Sequence, residues 1–313
     1  MVSNSPYKTT ERKSHSSLVN FLIRLIREKP LGTLGAFITL LMLFTGIFAN
    51  YLAPYGVNEP HLSNTLEGPS LRFLLGTDNL GRDMLSQVIY GARISMIVGL
   101  CASTLASFTE IFIGILSGYF GGVFDLIVQR FVDAVMCLPG LILMIVIISI
   151  VGPGMLPVII VLGITMGIGG SRVIRSVTMS VKENVYTQAA VAIGCPTKRI
   201  LIRHILPNIA APIIINFSTI LPGVILTEAS LSFLGYGIPP PAPSWGGMIS
   251  GNARLFMFRD PWMGIWPGLS LSLVVYGVNM FGDAIRDLLD PRLRGGVGRY
   301  GLKVKKVKYG EDT

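Results

Sequence analysis

Residues 134–171 read AVMCLPGLILMIVIISIVGPGMLPVIIVLGITMGIGGS, 38 consecutive positions without a charge. As one helix they would extend about 57 Å, nearly twice the roughly 30 Å of a bilayer's hydrocarbon core. The run carries its own interruption, Val151-Gly152-Pro153-Gly154, close to its middle. Glycine frees the backbone and proline withholds a donor, so the stretch reads as two membrane helices joined by a tight turn.

Four further apolar runs flank this hairpin. Residues 31–53 carry no charge, 94–118 only Glu110, and 205–227 contain Pro207, Pro212 and Pro222. Neighbouring helices can satisfy the carbonyls those prolines free. Residues 261–282 complete the set. The expectation is an all-α polytopic membrane protein with six transmembrane helices and both termini on one face. Composition agrees: of 313 residues 51% are hydrophobic and 14% charged, mean hydropathy is +0.62, and soluble domains carry about 25% charge. So little charge argues against a soluble enzyme, and so much apolar surface against a disordered chain. Long uninterrupted apolar runs argue against a membrane β-barrel.

The net charge of +9 would point a soluble protein toward nucleic acid. Here its placement sets orientation instead. Of the 26 Lys and Arg, 21 fall on one predicted face: the tail through Pro30, Arg130, the segment 171–206 and the tail from Ile285. Arg72, Arg82, Arg93, Arg254 and Arg259 belong to the other. Both termini are therefore expected in the cytoplasm. The leading tail is not expected to be a cleavable signal, because about thirty polar and basic residues precede the first apolar run. Cys101, Cys137 and Cys195 have no motif spacing, which speaks against a disulfide framework.

Catalytic signatures are missing: no phosphate-binding glycine loop, no His-Glu-x-x-His, no Gly-x-Ser-x-Gly. His15, His61 and His204 are scattered, so no metal site is expected. Glu110 and Glu228 stand in or beside apolar runs, where a carboxylate is costly. They read either as a proton relay or cation site, or as one interhelical hydrogen bond each. The pairs Gly114/Gly118 and Gly163/Gly167 fit close helix packing. Between the fourth and fifth spans, Val185, Ala189 and Ile193 recur at helical spacing, and Gly194-Cys195-Pro196 breaks the helix. A second short helix follows, with Ile200, Leu201 and Ile205 on one side and Lys198, Arg199 and Arg203 among polar positions. Two short amphipathic helices at a glycine make a compact knob. It could enter a groove on another protein, or lie on anionic lipid.

These residues resemble a known family. Tyr186, Gln188, Ala189, Ala190, Gly194, Ile200, Arg203, His204, Pro207 and Asn208 are similar to the cytoplasmic coupling loop of binding-protein-dependent ABC importer permeases. Several other blocks resemble the second permease subunit of the dipeptide/oligopeptide/nickel group. They are Gly76-Thr77-Asp78 with Gly81-Arg82-Asp83, Gly91-Ala92-Arg93, Gly118-Tyr119-Phe120-Gly121-Gly122 with Asp125, Arg130, Asp133 and Pro139, Glu228-Ala229-Ser230, Ser244-Trp245-Gly246, and Gly282-Asp283 with Arg286, Asp287 and Asp290. One departure is Gln188, where the family often has Glu, so any ion pair through that position is lost.

The resemblance implies a type I importer permease fold in a prokaryotic inner (cytoplasmic) membrane. It implies a basic tail over 1–30, a first helix and external segment over 31–90, and a five-helix core over 91–290 with its coupling loop at 171–206. A second basic tail would occupy 291–313. It further implies transport of di- or oligopeptides delivered by an external substrate-binding protein. Nickel, glutathione or another small solute is the alternative cargo. A homologous permease subunit and two cytoplasmic ATPases would be partners, alongside membrane lipid and without nucleic acid. ATP and Mg would be handled on the ATPases, with no cofactor and no catalytic residue on this chain. The external segments with Gly76, Thr77, Asp78, Gly81, Arg82, Asp83, Ser244, Trp245 and Gly246 would dock the binding protein or shape the outer gate. Residues 75–83 read equally as a capped interfacial helix with Asp78 or Asn79 at its N-cap, and the Pro-rich 231–260 segment as a cap or a mere linker. Gly121 and Asp125 read as turning the chain, and Asp283, Arg286 and Asp290 as a local charge cluster. An ion-coupled secondary transporter should show intramembrane ion ligands and an internal repeat. A channel or scaffold would have no need of the knob.

Overall fold

The computed structural model describes residues 17–256 and 258–289. Asp290, the tail 291–313 and the first sixteen residues of the leading tail lie outside them. Thirteen α-helices follow in order. The first three are α1 (Ser17–Glu28), α2 (Pro30–Ile47) and α3 (Ala49–Leu52). After an outer segment come α4 (Met84–Phe120), α5 (Gly122–Met136), α6 (Gly140–Val151) and α7 (Met155–Lys182). Two short helices, α8 (Val185–Ala192) and α9 (Thr197–Ile200), lead into α10 (Ala210–Phe233). Then α11 (Trp245–Ile249) and α12 (Asn252–Phe256) precede α13 (Trp262–Leu289).

Five stretches among the described residues are long and apolar enough to cross a membrane: α2, α4, α7, Thr197–Phe233 and α13. The sixth candidate is the pair α5 and α6, bent by 88°. The hairpin break falls where the sequence puts it, with Gly152 at φ +100 and Gly154 at φ +158 between α6 and α7. The hairpin's first arm differs from expectation. It does not run straight from Ala134, because Pro139 forces its predecessor out of helical geometry and ends α5 at Met136. That leaves α6 with 12 residues, only about 18 Å. The other arm runs longer than read, since α7 continues to Lys182 and carries Arg172 and Arg175 within the helix.

The bundle is seamed by glycine. An added Cβ at Gly114 would lie 2.8 Å from the Ser171 carbonyl, and at Gly118 2.8 Å from that of Arg175. At Gly167 it would lie 2.6 Å from the carbonyl of Ala106. The two small-residue pairs picked from sequence therefore lie in one seam between α4 and α7, at different levels: Gly114 and Gly118 against Ser171–Thr178, and Gly163 and Gly167 against Leu105–Thr109. Nearer the outer end, Val98, Met144, Ile148, Leu162, Val224 and Leu231 bring α4, α6, α7 and α10 into one core. On the far side, Ile38, Met96, Ile225 and Val274 join α2, α4, α10 and α13. Phe37, Leu40, Phe108 and Phe112 point outward at more than half exposure, as a lipid-facing surface requires. At the foot of α13 no ion pair joins Asp283 to Arg286; both are exposed, and Asp287 instead pairs with Lys29 at 2.5 Å.

Candidate functional site

The knob forms as its sequence suggests. Helix α8 ends at Ala192 with Ile193 as its C-cap, after which Gly194 adopts φ +75. Its amide donates to the Val191 carbonyl at 3.0 Å, and the Cys195 amide to that of Ala190 at 3.0 Å. This pair of bonds closes a helix with a left-handed residue, a conformation that favours glycine. No atom lies within 4 Å of where a Gly194 Cβ would stand. Its glycine is needed for backbone conformation and not for room.

Pro196 then starts α9, which continues through one wide turn at Leu201–Ile205 and one tight turn at Leu206–Ile209. Pro207 accounts for the irregularity, because it lacks an N–H and its ring crowds the carbonyl four residues back, on Arg203. The Asn208 side-chain amide donates to the His204 carbonyl at 2.6 Å within this irregular stretch.

Beneath the knob, Ala190, Ile200, Ile205 and Ile209 pack with Ile115, Ile174 and Val181. The two alanines thus divide: Ala190 is core, and Ala189 is surface. The stripe Val185, Ala189, Ile193 faces outward, with Val185 83% and Ile193 84% exposed. Tyr186, Lys198, Arg199 and Arg203 are exposed beside it. Gln188 folds back within the knob, its amide donating to the Glu183 carbonyl at 3.1 Å. Clefts of 580 Å³, walled by Tyr119, Lys182 and Gln188, and of 570 Å³, walled by Lys198, Ile202 and Arg203, flank the two short helices. An exposed apolar stripe bordered by cations and hollows marks a candidate interaction surface.

At the opposite end the two segments expected to be external meet. Residues 75–83 make no helix. Asp78 accepts from the amides of Leu80 (2.8 Å) and Arg82 (2.9 Å) and from Arg82 Nε (2.6 Å), so it caps a turn. Asp83 is the N-cap, that of α4, where its Oδ2 accepts from the amide and hydroxyl of Ser86 at 2.7 Å each. Thr77 accepts from the Glu67 amide at 2.9 Å, and Gly76 and Gly81 turn with φ +83 and +73.

The Pro-rich segment is a cap and not a loose linker. Trp245 is fully buried, donates from Nε1 to the Val88 carbonyl at 3.1 Å and lies against Gly91. Ser244 caps α11 by accepting from the Gly247 amide at 3.2 Å. Gly246 sits so close to Ala229 that an added Cβ would fall 2.6 Å from its Cα. A cleft of 310 Å³ separates the segments, bordered by Asp78, Arg82, Gln87, Pro240, Met248 and Ser250. Of the nine outer residues singled out from sequence, Arg82 alone is not buried; the other eight build the cap's frame. At the head of α13, burial raises the pKa of the Asp260 carboxyl from its ordinary value, with the Trp262 amide pulling against it.

The two intramembrane carboxylates are held by hydrogen bonds across helices. Glu228 accepts from Ser232 (2.8 Å) and, from α4, Ser95 (3.4 Å). Glu110 accepts from Asn216 of α10, leaving Oε1 without a partner. The sequence reading did not single out Asn216, nor Asp125 as more than a turn residue. Asp125 is in fact paired with Arg175, and its signal was the four-residue spacing of Asp125, Gln129 and Asp133. Among the described residues no group of His, Cys, Asp or Glu could hold a metal ion.

Comparison with known proteins fits this geometry. The profile of the family described as binding-protein-dependent transport system inner membrane component matches residues 110–295. The dipeptide transport system permease protein DppC of Alkalihalophilus pseudofirmus is 37% identical over 269 residues, covering 86% of this chain and 88% of that protein. The glutathione transport system permease protein GsiD of Pectobacterium atrosepticum is 36% identical, over 88% of this chain and 91% of its own. A chain from inward-facing structures of the MetNI methionine ABC transporter shares the fold, with TM-score 0.55 and 16% identity over 66% of this chain and 98% of that one. A seamed helical bundle with an exposed knob at one end, a framed cap at the other and this profile across its core belongs to the family of binding-protein-dependent transport system inner membrane components.

Proposed function

We propose that this chain is one transmembrane subunit of an ATP-driven importer for di- or oligopeptides. The observation that carries the reading is the outward stripe of Val185, Ala189 and Ile193 beside Lys198, Arg199 and Arg203. An apolar strip left bare on a knob away from the spans needs a protein partner to cover it, and a cytoplasmic ATPase is that partner. The excess of Lys and Arg at the knob end supports a cytoplasmic position for that end and for both termini. ATP and Mg are then bound on the ATPases, and no chemistry falls to this chain. Closing of the ATPases displaces the knob, and the spans attached to it rock between inward- and outward-open arrangements. A homologous permease supplies the other half of the pathway. The cleft between the segments at Asp78–Arg82 and Pro240–Ser250 receives the external binding protein or gates the pathway beneath it. Peptide is the preferred cargo because relatives at 36–37% identity are named for dipeptides or glutathione, itself a small peptide; nickel is the second reading.

The test is reconstitution of this chain with its neighbouring permease, ATPases and binding protein in proteoliposomes. Dipeptide-stimulated ATP hydrolysis with dipeptide uptake supports the reading. ATPases that fail to co-purify with the chain, or that co-purify equally with a Val185→Glu/Ile193→Glu variant, would sink it. Stimulation by nickel ions and not by peptides would replace the cargo.

A further inference from the structure

Helix α5 is attached to the bundle in an unusual way. Of its fifteen residues Val132 alone is buried, while Val123, Ile127 and Phe131 are 60% or more exposed. What holds it is charge. Asp125, Gln129 and Asp133, four apart, lie on one face, and α7 presents Arg172 and Arg175, three apart, to meet them. Arg175 donates to both oxygens of Asp125, from Nε at 2.6 Å and from Nη2 at 2.5 Å. Arg172 pairs with Asp133, whose second oxygen stands 3.8 Å from Arg130. Ser117 of α4 donates to Asp125 and accepts from Gln129 at 3.0 Å. A bidentate pair fixes orientation as well as distance, which apolar contact does not.

These contacts join elements that otherwise touch little. Helix α7 runs unbroken to Lys182, two residues before the knob. Helix α5 turns through 88° at Cys137–Pro139 into α6, whose Met144 and Ile148 are embedded between α4, α7 and α10. We propose that the Asp125–Arg175 and Asp133–Arg172 pairs yoke α5 to α7, so that displacement of the knob reaches α6 through the bend at Pro139. The proposal rests on the importer reading and adds to it the route by which force arrives at α6. The two helices move as one body, and the bend is the joint.

The test uses the complete complex in proteoliposomes and reads uptake per ATP hydrolysed. Asp125→Arg and Arg175→Asp are each expected to lower that ratio about tenfold or more, and the double reversal to recover it to within about threefold. A second arm does not depend on tolerating reversed charge. In a background with Cys101, Cys137 and Cys195 changed to Ser, Asp133→Cys and Arg172→Cys are joined by a short, reducible thiol cross-linker. Uptake is expected to persist after cross-linking. Single reversals that transport normally, a double reversal that assembles without recovery, or uptake that the cross-link blocks and reduction restores would each overturn the yoke. Uptake by the unsubstituted complex separates the two ideas, since its absence refutes the importer and leaves the pairs merely structural.

Discussion

Gly194 offers the sharpest separation of backbone from side chain in the knob. Its φ of +75 is unfavourable for any residue with a Cβ, while the space around it is open. Alanine should therefore cost about 1–2 kcal/mol of left-handed strain, and valine more because its branch restricts the backbone further. Asparagine visits this region readily and should cost only part of that. A loss of 1–2 kcal/mol lowers the ratio of closed to open turn by about 5–30-fold. The first assay is amide hydrogen exchange at Gly194 and Cys195, whose N–H groups make the two closing bonds. Exchange is expected to rise in the order Gly, Asn, Ala, Val. The second is substrate-stimulated ATPase activity of the reconstituted complex, expected to fall in that order. The reasoning fails if alanine behaves as glycine does, because the turn would then not need its conformation. It fails equally if asparagine is as harmful as valine, because the constraint would then be steric.

Substitutions at two further positions probe the buried frame. Glu228→Gln keeps an acceptor for Ser95 or Ser232, so uptake should stay within about twofold; Glu228→Leu strands both hydroxyls at about 1–3 kcal/mol each and should lower the Tm of the purified complex. Complete loss of uptake in an assembled Glu228→Gln complex would show that the charge itself is used. Gly246→Ala drives a methyl into the backbone of Ala229 and should cost about 1–3 kcal/mol or more by overpacking. A Tm equal to that of the unsubstituted chain would mean that the cap is not seated on α10 as described.

The sequence was most informative where a pattern is local. The interruption at Val151–Gly154, the Gly194 turn, the inward Ile200 and Ile205, and the glycine pairs all depend on neighbours within a few residues. Local patterns were weaker at deciding which side of an element meets protein. Ala189 and Ala190 look alike in a string, yet one is surface and the other core. Trp245 and Gly246 read as an outer surface because they follow five residues rich in proline, whereas the indole reaches back to Val88 and fills the space that Gly91 leaves. Arg172 and Arg175 were counted with a loop because apolar content stops at Ser171, and the partners that let α7 continue lie some forty to fifty residues earlier, on α5. Pairings across such distances leave a trace only in periodicity, here the acidic and amide residues at 125, 129 and 133.

Helix α4 spans 37 residues, about 55 Å of unbroken rod. Its first turn is capped by Asp83 within the outer frame, its third carries Gly91 against Trp245, and its last turns hold Ile115 in the core beneath the knob. One continuous piece of hydrogen-bonded backbone therefore touches both ends of the machine. Whatever energetic advantage an occupied cap gains from a shift of this rod, an engaged knob must feel in equal measure, because binding equilibria linked through a shared element are reciprocal. On the proposed reading, a binding protein that settles more firmly when the ATPases are closed, and ATPases that close more readily when it has settled, are two expressions of a single free-energy difference.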